Sequence, residues 1–134
     1  MKTERLFERV ADYRNSLARL REALLAPESD LIRDAAIQRF EFTYEMAWKT
    51  LKLLLEAKGM DVRNPRDALR EALQQGMIDD GNGWTLLHEK RNLTTHTYDE
   101  ALAREVYEFL KNSGVALFDA LEREIQRRIG EIGP

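Results

Sequence analysis

Apolar residues near the start of the chain recur at alternating steps of four and three, and this spacing constrains the fold more than any other feature. Such a pattern places its members on one face of an α-helix. Six residues make up the stripe: Leu6, Val10, Tyr13, Leu17, Leu20 and Leu24. A helix with one apolar stripe must bury it against a neighbouring element. The spacing therefore predicts a helix over residues 3–25 that packs into a larger core.

A second predicted helix, over residues 31–58, is apolar around most of its circumference. Its broad apolar face holds Phe40, Tyr44, Ala47, Trp48, Leu51, Leu54 and Leu55. Further apolar residues on nearly the opposite side are Phe42, Met46 and Leu53. The one narrow charged strip consists of Glu41, Glu45, Lys49, Lys52 and Glu56. A helix with one solvated strip is central to its bundle or part of an interface, and the sequence leaves both interpretations open.

Residues that start and stop helices separate these segments from a short third helix. APESD offers Ser29 or Asp30 as the N-cap of the second helix. Asn64 is the predicted cap of the third helix, Pro65 its first residue and Gly76 its stop.

Two further helices follow a DDGNG loop. We predict the fourth over about residues 83–95 and the fifth over about residues 98–128, with a bend at Gly114. TYDE reads as a capping box for the fifth helix, with Thr97 as the cap and Glu100 three residues later. Its predicted buried residues are Leu102, Val106, Phe109, Leu110, Leu117, Leu121 and Ile125.

These patterns together predict the fold class. The sequence shows no useful β-alternation, internal repeat or low-complexity segment. We therefore expect an all-α fold, an up-and-down antiparallel bundle of about five helices with short connections. A length of 134 residues suits a single domain over residues 1–134.

Charge and composition narrow the function classes. A formal net charge of −3 argues against a general polyanion binder, although it leaves room for a local basic patch. The absence of cysteine excludes disulfides and thiolate metal sites. The start MKTERLFERV has no uninterrupted apolar run, and no segment approaches the roughly 20 apolar residues of a membrane span. We therefore expect a cytoplasmic protein with no membrane contact.

A polar cluster, HEKRNLTTHTYDE at residues 88–100, holds both histidines of the chain. One face of the fourth helix is predicted to carry Trp84, His88, Arg91 and Thr95, while Leu86 and Leu93 on the other face seat it on the core. His96 lies about 140° from Arg91 on an ideal helix, by the 100° step per residue. The two converge on one ligand only if the helix ends near Thr94 or if a second copy of the chain supplies one of them.

Two interpretations of this cluster remain. Basic groups at a helix C-terminus are favourable against the helix dipole, each by roughly 0.3–1 kcal/mol, which explains the cluster without any site. The other interpretation is a site for chemistry. His88 is expected to be a hydrogen-bonding neighbour and Trp84 a core residue. Two histidines eight residues apart do not make a familiar zinc site, and the chain has no Gly-rich phosphate loop, so we expect no metal and no cofactor.

RNLTTHTY matches the R-x-x-x-x-H-x-Y pattern of the HEPN superfamily. The wider segments RFEFTYEMAWKTLKLLLEAKG and RDALREALQQGMIDDGNGWTLLHEKRNLTTHTYDE resemble its branch of nucleotidyltransferase substrate-binding proteins. The resemblance covers roughly residues 35–110, and Asn92 fits the polar residue that follows the arginine in the superfamily.

The resemblance implies a function and partners. Members form homodimers through their motif helices, and many are metal-independent RNA endonucleases that act as toxins. It implies that Arg91 and His96 are catalytic and that Asn92 supports them. A minimal nucleotidyltransferase encoded nearby acts as antitoxin, in some pairs by adenylylating the motif tyrosine, here Tyr98. Arg39, Lys49 and Lys52 are the basic residues from which an RNA path would be drawn.

The alternative is a non-catalytic substrate-binding subunit of a two-component nucleotidyltransferase. The acidic net charge and the interface-like second helix favour it. A neighbouring nucleotidyltransferase gene fits both hypotheses, so RNA cleavage is the property that separates them.

Overall fold

The computed structural model describes residues 2–132, and within that range it contains helices and connections but no strand. The elements are α1 (Lys2–Leu25), α2 (Asp30–Glu56), α3 (Pro65–Gln74), α4 (Gly81–Leu93), a 3-10 turn (Thr94–His96), α5 (Glu100–Phe109), a π-helical segment (Leu110–Gly114) and α6 (Val115–Ile132). The all-α fold class is confirmed. Among the described residues, every helix is too short or too polar to span a lipid bilayer.

Helices α1 and α2 form an antiparallel pair. Near one end of the pair, Arg39 donates a hydrogen bond to the carbonyl of Arg19, and near the other the Thr50 hydroxyl bonds the carbonyl of Arg9. The residue numbers rise along one helix as they fall along the other, so the connection over residues 26–29 reverses the chain. The predicted stripe of α1 is buried along its whole length.

The helix caps agree with the sequence prediction at α2 and α3 but differ from it at α5. Ser29 caps α2 and Asn64 caps α3, as predicted, and Gly76 ends the turn after α3 with a φ of 71°. The predicted cap of the fifth helix was wrong. Asp99, not Thr97, accepts hydrogen bonds from the first backbone N–H groups of α5. The Thr97 hydroxyl instead donates to the carbonyl of Thr94, so it closes the preceding turn.

The centre of the bundle is an aromatic cluster drawn from four helices. The Phe118 ring packs against the rings of Tyr13, Phe40 and Trp84 at centroid distances of 5.7–6.4 Å. The buried Tyr13 hydroxyl donates a 2.6 Å hydrogen bond to the carbonyl of Phe118. Burying a large apolar side chain contributes roughly 1.5–3 kcal/mol, so this cluster joins α1, α2, α4 and α6 into one core.

The orientation of α4 differs from the prediction. Leu87 is fully buried and Trp84 nearly so, whereas Leu86 is 45% exposed and Leu93 only half-buried. The expectation that Leu86 and Leu93 seat this helix on the core was wrong for Leu86, whereas Leu93 does pack against the core. Trp84 instead packs on the Phe118 ring, which turns the helix so that His88 faces α2.

The predicted fifth helix is present as one continuous path of three segments, from Glu100 to Ile132. The bend expected at Gly114 corresponds to the π-helical segment that ends there. A Cβ at Gly114 would lie 3.3 Å from a methyl of Leu87 and 3.1 Å from a methyl of Leu110. The glycine therefore lets α4 approach this helix closely at the point where the backbone widens.

Candidate functional site

The end of α4 is closed by threonine hydroxyls. The buried Thr94 donates through its hydroxyl to the carbonyl of Arg91 at 2.7 Å, and the 3-10 turn begins there. The backbone N–H of Asp99 then bonds the carbonyl of His96. A β-branched residue that bonds the helix carbonyls favours such a tightened end. The helix therefore ends where the sequence predicted that it must for a site to form.

Arg91 is half-buried and held at the start of this turn. One of its guanidinium nitrogens, Nη1, donates to the Thr94 hydroxyl at 3.0 Å and lies 3.7 Å from a carboxylate oxygen of Glu41 on α2. A guanidinium has five N–H donors. Because both contacts involve Nη1, the other N–H groups of the guanidinium are available to a ligand such as a phosphate.

His96 and Tyr98 lie next to each other at the surface. Their ring centroids are 6.3 Å apart in an edge-to-face arrangement, and Tyr98 is 87% exposed. The Tyr98 ring is therefore not packed beneath the loop. Both rings are accessible to a large molecule.

Within one chain the structure does not join all the predicted site residues. Among the described residues, no hydrogen bond or ring contact links Arg91 to His96 or to Tyr98. Asn92 is exposed and lies on another side of α4, in a groove against α3. The arrangement supplies an exposed imidazole and a positioned guanidinium, but a single chain does not bring them into contact.

The sequence predicted that His88 forms a hydrogen bond, but it did not indicate that the partner is Tyr44. Nδ1 of His88 lies 2.6 Å from the hydroxyl of Tyr44 on α2. Burial, together with the positive charges of Arg66 and Arg91, lowers the pKa of His88 below its ordinary value. Burial also raises the pKa of Tyr44, so its hydroxyl stays protonated. Tyr44 was recognised only as part of an apolar face, and no local pattern indicates a partner 44 residues away.

The basic residues expected to guide RNA lie in two different places in the structure. Arg39 is engaged with α1, where it pairs with Glu22. Lys49 and Lys52 instead line a groove of about 270 Å³ with Arg5, Arg9 and the half-buried Trp48. Arg5 and Arg9 were not singled out because they lie some 40 residues away in sequence. The groove combines cations with an indole ring on the helix that also contacts Arg91.

Across residues 2–132, no group of three or more histidine, aspartate or glutamate side chains is arranged to hold a metal ion. Two carboxylates of α2 near Arg91 are engaged with cations, since Glu41 pairs with Arg91 and Glu45 with Lys49.

Comparison with known proteins identifies relatives of this chain. A family model described as "Nucleotidyltransferase substrate binding protein like" matches residues 8–127. A curated Haemophilus influenzae protein named "Probable ribonuclease HepT" is 39% identical over 83 residues. That match spans 58% of this chain and 57% of the relative's length.

Solved structures share the fold. One from Thermus thermophilus is 32% identical, with a TM-score of 0.73 over 87% of this chain and 98% of that one. A second, from Haemophilus influenzae, is described as revealing the fold of a substrate binding domain of a nucleotidyltransferase. It is 27% identical, with a TM-score of 0.67 over 92% of this chain and 98% of that one.

Proposed function

The chain belongs to the nucleotidyltransferase substrate binding protein-like family, and from that premise we propose that it is a HEPN-type, metal-independent RNA endonuclease. It acts as a homodimer and as a toxin, built from one helical domain over residues 1–134. The observation that carries the proposal is the 3-10 turn after α4, which presents His96 in solvent just beyond a guanidinium held at Arg91.

The chemistry follows from the two side chains. RNA is cleaved when the 2′-oxygen attacks phosphorus and the bond from phosphorus to the 5′-oxygen breaks. This leaves a 2′,3′-cyclic phosphate and a 5′-hydroxyl. The reaction needs a base for the 2′-hydroxyl proton, an acid for the departing 5′-oxygen, and a cation for the phosphoryl oxygens. His96 can be acid or base near neutral pH, and Arg91 can hold the phosphate through a planar fork.

A dimer supplies the groups that one chain lacks. One chain contains one motif histidine and one motif arginine, and they do not contact each other within it. A two-fold axis between the motif helices would place two of each around a shared cleft. His96 of one protomer then accepts the 2′-hydroxyl proton while His96 of the partner subunit donates to the 5′-oxygen. Asn92 supports the motif from the adjoining side of α4.

A path for RNA is available on α2. From Glu41, which contacts Arg91, to Lys52 the helix rises by about 16 Å at 1.5 Å per residue. The groove of Arg5, Arg9, Lys49 and Lys52 lies at the far end of that span. Cations for the backbone and an aromatic ring for a base are the features of single-strand binding surfaces.

The test is RNA cleavage in EDTA by the purified full chain and its variants. We expect His96→Ala and Arg91→Ala each to lose activity by about 10²–10⁴-fold, the range for a positioned acid, base or charge stabiliser. Arg104→Ala is the matched control, because this exposed arginine of α5 pairs with Glu100 and, among the described residues, contacts none of the motif residues. Equal activity of wild type and His96→Ala, or no activity in folded, unmodified dimer, would reject the proposal.

The cognate partner is a minimal nucleotidyltransferase that neutralises the toxin by modifying Tyr98. The 87% exposure of this tyrosine supports the proposal, because an enzyme can reach its hydroxyl. An added AMP brings a phosphate whose charge would occupy Arg91. Intact-mass spectrometry after incubation with the partner, ATP and magnesium should show the addition in wild type. The addition should be absent in Tyr98→Phe; its persistence there would exclude this residue.

A second candidate function is substrate binding for a nucleotidyltransferase. It is favoured by the Haemophilus influenzae structure, which is described as revealing the fold of a substrate binding domain of a nucleotidyltransferase. Under this alternative the chain presents a substrate to its partner and cleaves nothing. The acidic net charge and the exposed Phe42 on α2 fit a protein-binding role. The cleavage assay in EDTA separates the two functions, because only the first requires His96.

A further inference from the structure

A groove between α3 and α4 has one apolar wall and one polar rim. Its volume is about 350 Å³. The wall consists of Leu69, Leu73, Ile78 and Trp84, and the rim includes Arg66, His88, Glu89 and Asn92. Small-molecule sites usually range over about 300–1,000 Å³, so this groove suits a ligand at the small end of that range.

The imidazole of His88 is fixed in this groove by a buried group. Tyr44 is only 2% exposed, and in the described residues its hydroxyl has no hydrogen-bond partner other than Nδ1 of His88. We assign the hydroxyl as the donor and Nδ1 as the acceptor, because the buried O–H proton would otherwise have no acceptor. A neutral ring that accepts at Nδ1 carries its own proton on Nε2. That nitrogen has no partner among the described residues, so it is an oriented N–H donor without an acceptor.

Two charged side chains of the groove, Arg66 and Glu89, are unpaired within residues 2–132, whereas a third, Arg70, is paired. Arg70 forms ion pairs with Asp67 and Glu71. Within residues 2–132, neither Arg66 nor Glu89 has an ion pair or hydrogen bond from its side chain. Both act on His88, since Arg66 lowers the pKa of the imidazole and Glu89 raises it, which places both near the ring. The groove therefore offers a free cation, a free carboxylate and an N–H donor beside an apolar surface.

We propose that this groove binds a nucleoside monophosphate unit. The phosphate lies between the guanidinium of Arg66 and Nε2–H of His88, with the Asn92 amide as a further donor. The base lies against the apolar wall, and Glu89 accepts from a ribose hydroxyl or a base amino group. A bare phosphate would leave the wall and Glu89 unused, and an apolar ligand would leave Arg66 and His88 unpaired. The unit is a free nucleotide or one nucleotide of single-stranded RNA.

The inference does not depend on cleavage by Arg91 and His96. It is tested in the His96→Ala variant of this chain, where bound RNA stays intact. Adenosine 5′-monophosphate and a short single-stranded oligoadenylate are titrated separately by calorimetry and by ¹H–¹⁵N NMR of the His88 ring. We expect saturable binding of at least one probe and a perturbed Nε2 resonance of His88.

Two variants and one control sharpen the test. Arg66→Ala should weaken binding about tenfold or more, as for loss of a hydrogen bond to a charged group. Thr85→Trp should abolish binding, because this exposed residue lines the groove and a larger ring fills it. Arg63→Ala is the matched control. This exposed arginine lies three residues before Arg66 and pairs with Asp61 outside the groove. The Arg63→Ala variant should therefore bind both probes as the His96→Ala protein does.

The outcomes separate the two sources and the two proposals. Binding of the mononucleotide that is lost in Arg66→Ala identifies a free-nucleotide site; binding of RNA alone with the same loss identifies an RNA subsite. No binding of either probe, equal weakening by Arg66→Ala and Arg63→Ala, or full binding by Thr85→Trp overturns the inference. Absence of RNA cleavage in the wild type would reject the proposed function and leave these titrations unaffected.

Discussion

The hydroxyl of Tyr44 and Nδ1 of His88 lie 2.6 Å apart, so a buried residue of α2 orients the half-buried imidazole ring of His88 on α4. This bond places His88 in the wall of the α3–α4 groove. It also ties the motif helix to the centre of the bundle, three residues before Arg91.

Tyr44→Phe tests that bond. The substitution keeps the ring and removes the hydroxyl, which leaves Nδ1 of His88 without its partner. We expect the free energy of unfolding to fall by about 1 kcal/mol, the usual net contribution of such a bond. Urea denaturation measures it. Tyr98→Phe is the control and should leave the stability unchanged, because Tyr98 is exposed. Equal stabilities of wild type and Tyr44→Phe would contradict the prediction.

The lowered pKa of His88 makes stability depend on pH. Because the folded pKa lies below the ordinary value of 6.5, the unfolded chain binds more protons between these two values. The contribution of His88 is therefore complete above about pH 6.5 and is lost as the pH falls through the folded pKa. Urea denaturation of wild type should show stability falling from pH 7 to pH 5, and His88→Gln should show a shallower fall. Identical slopes in the two proteins would show that His88 is not responsible.

Asp99 and Thr97 can be distinguished as helix caps. Asp99→Ala removes the side chain that accepts from the N–H groups of Ala101 and Leu102, and should cost about 1 kcal/mol. Thr97→Ala removes one bond to the Thr94 carbonyl, which is a weaker contribution. Thermal unfolding should therefore show the larger decrease in Tm for Asp99→Ala. The reverse order would restore Thr97 as the cap.

Replacement of glycine by alanine should change the free energy of unfolding in opposite directions at two positions. Gly114→Ala forces a Cβ against Leu87, Leu110 and Phe109 at 3.1–3.3 Å, and overpacking of this kind costs about 1–3 kcal/mol. Gly130→Ala meets no atom within 4 Å and lies in α6, where alanine is the better helix former by up to about 1 kcal/mol. Chemical denaturation of both variants checks the pair. Stabilisation by both would mean that the helix contact at Gly114 is looser than described.

Thr94→Val tests the support of Arg91. Valine has nearly the same shape but removes the hydroxyl that accepts from Nη1 of Arg91 and donates to its carbonyl. Under the proposed function, a mispositioned guanidinium should lower kcat for RNA cleavage by about tenfold or more, since a charged hydrogen bond contributes about 1.5–3 kcal/mol. The far-ultraviolet circular dichroism spectrum should stay helical. A change in KM alone would assign Thr94 to binding rather than to positioning.

The sequence by itself determined the fold class, the positions of the helices and most caps, because these depend on local spacing. The apolar stripe of α1, the cap at Ser29 and the stop at Gly76 follow from residues within one or two turns of each other. The sequence also located the motif and required its helix to end near Thr94.

The tertiary structure decided how the helices are rotated and which side chains meet. Leu86 and Leu87 are adjacent and equally apolar, so only the packing of Trp84 on Phe118 determines which leucine is buried. The same rotation brings His88 to Tyr44, 44 residues away. Contacts between distant residues depend on the packing of the whole core, which no local spacing encodes.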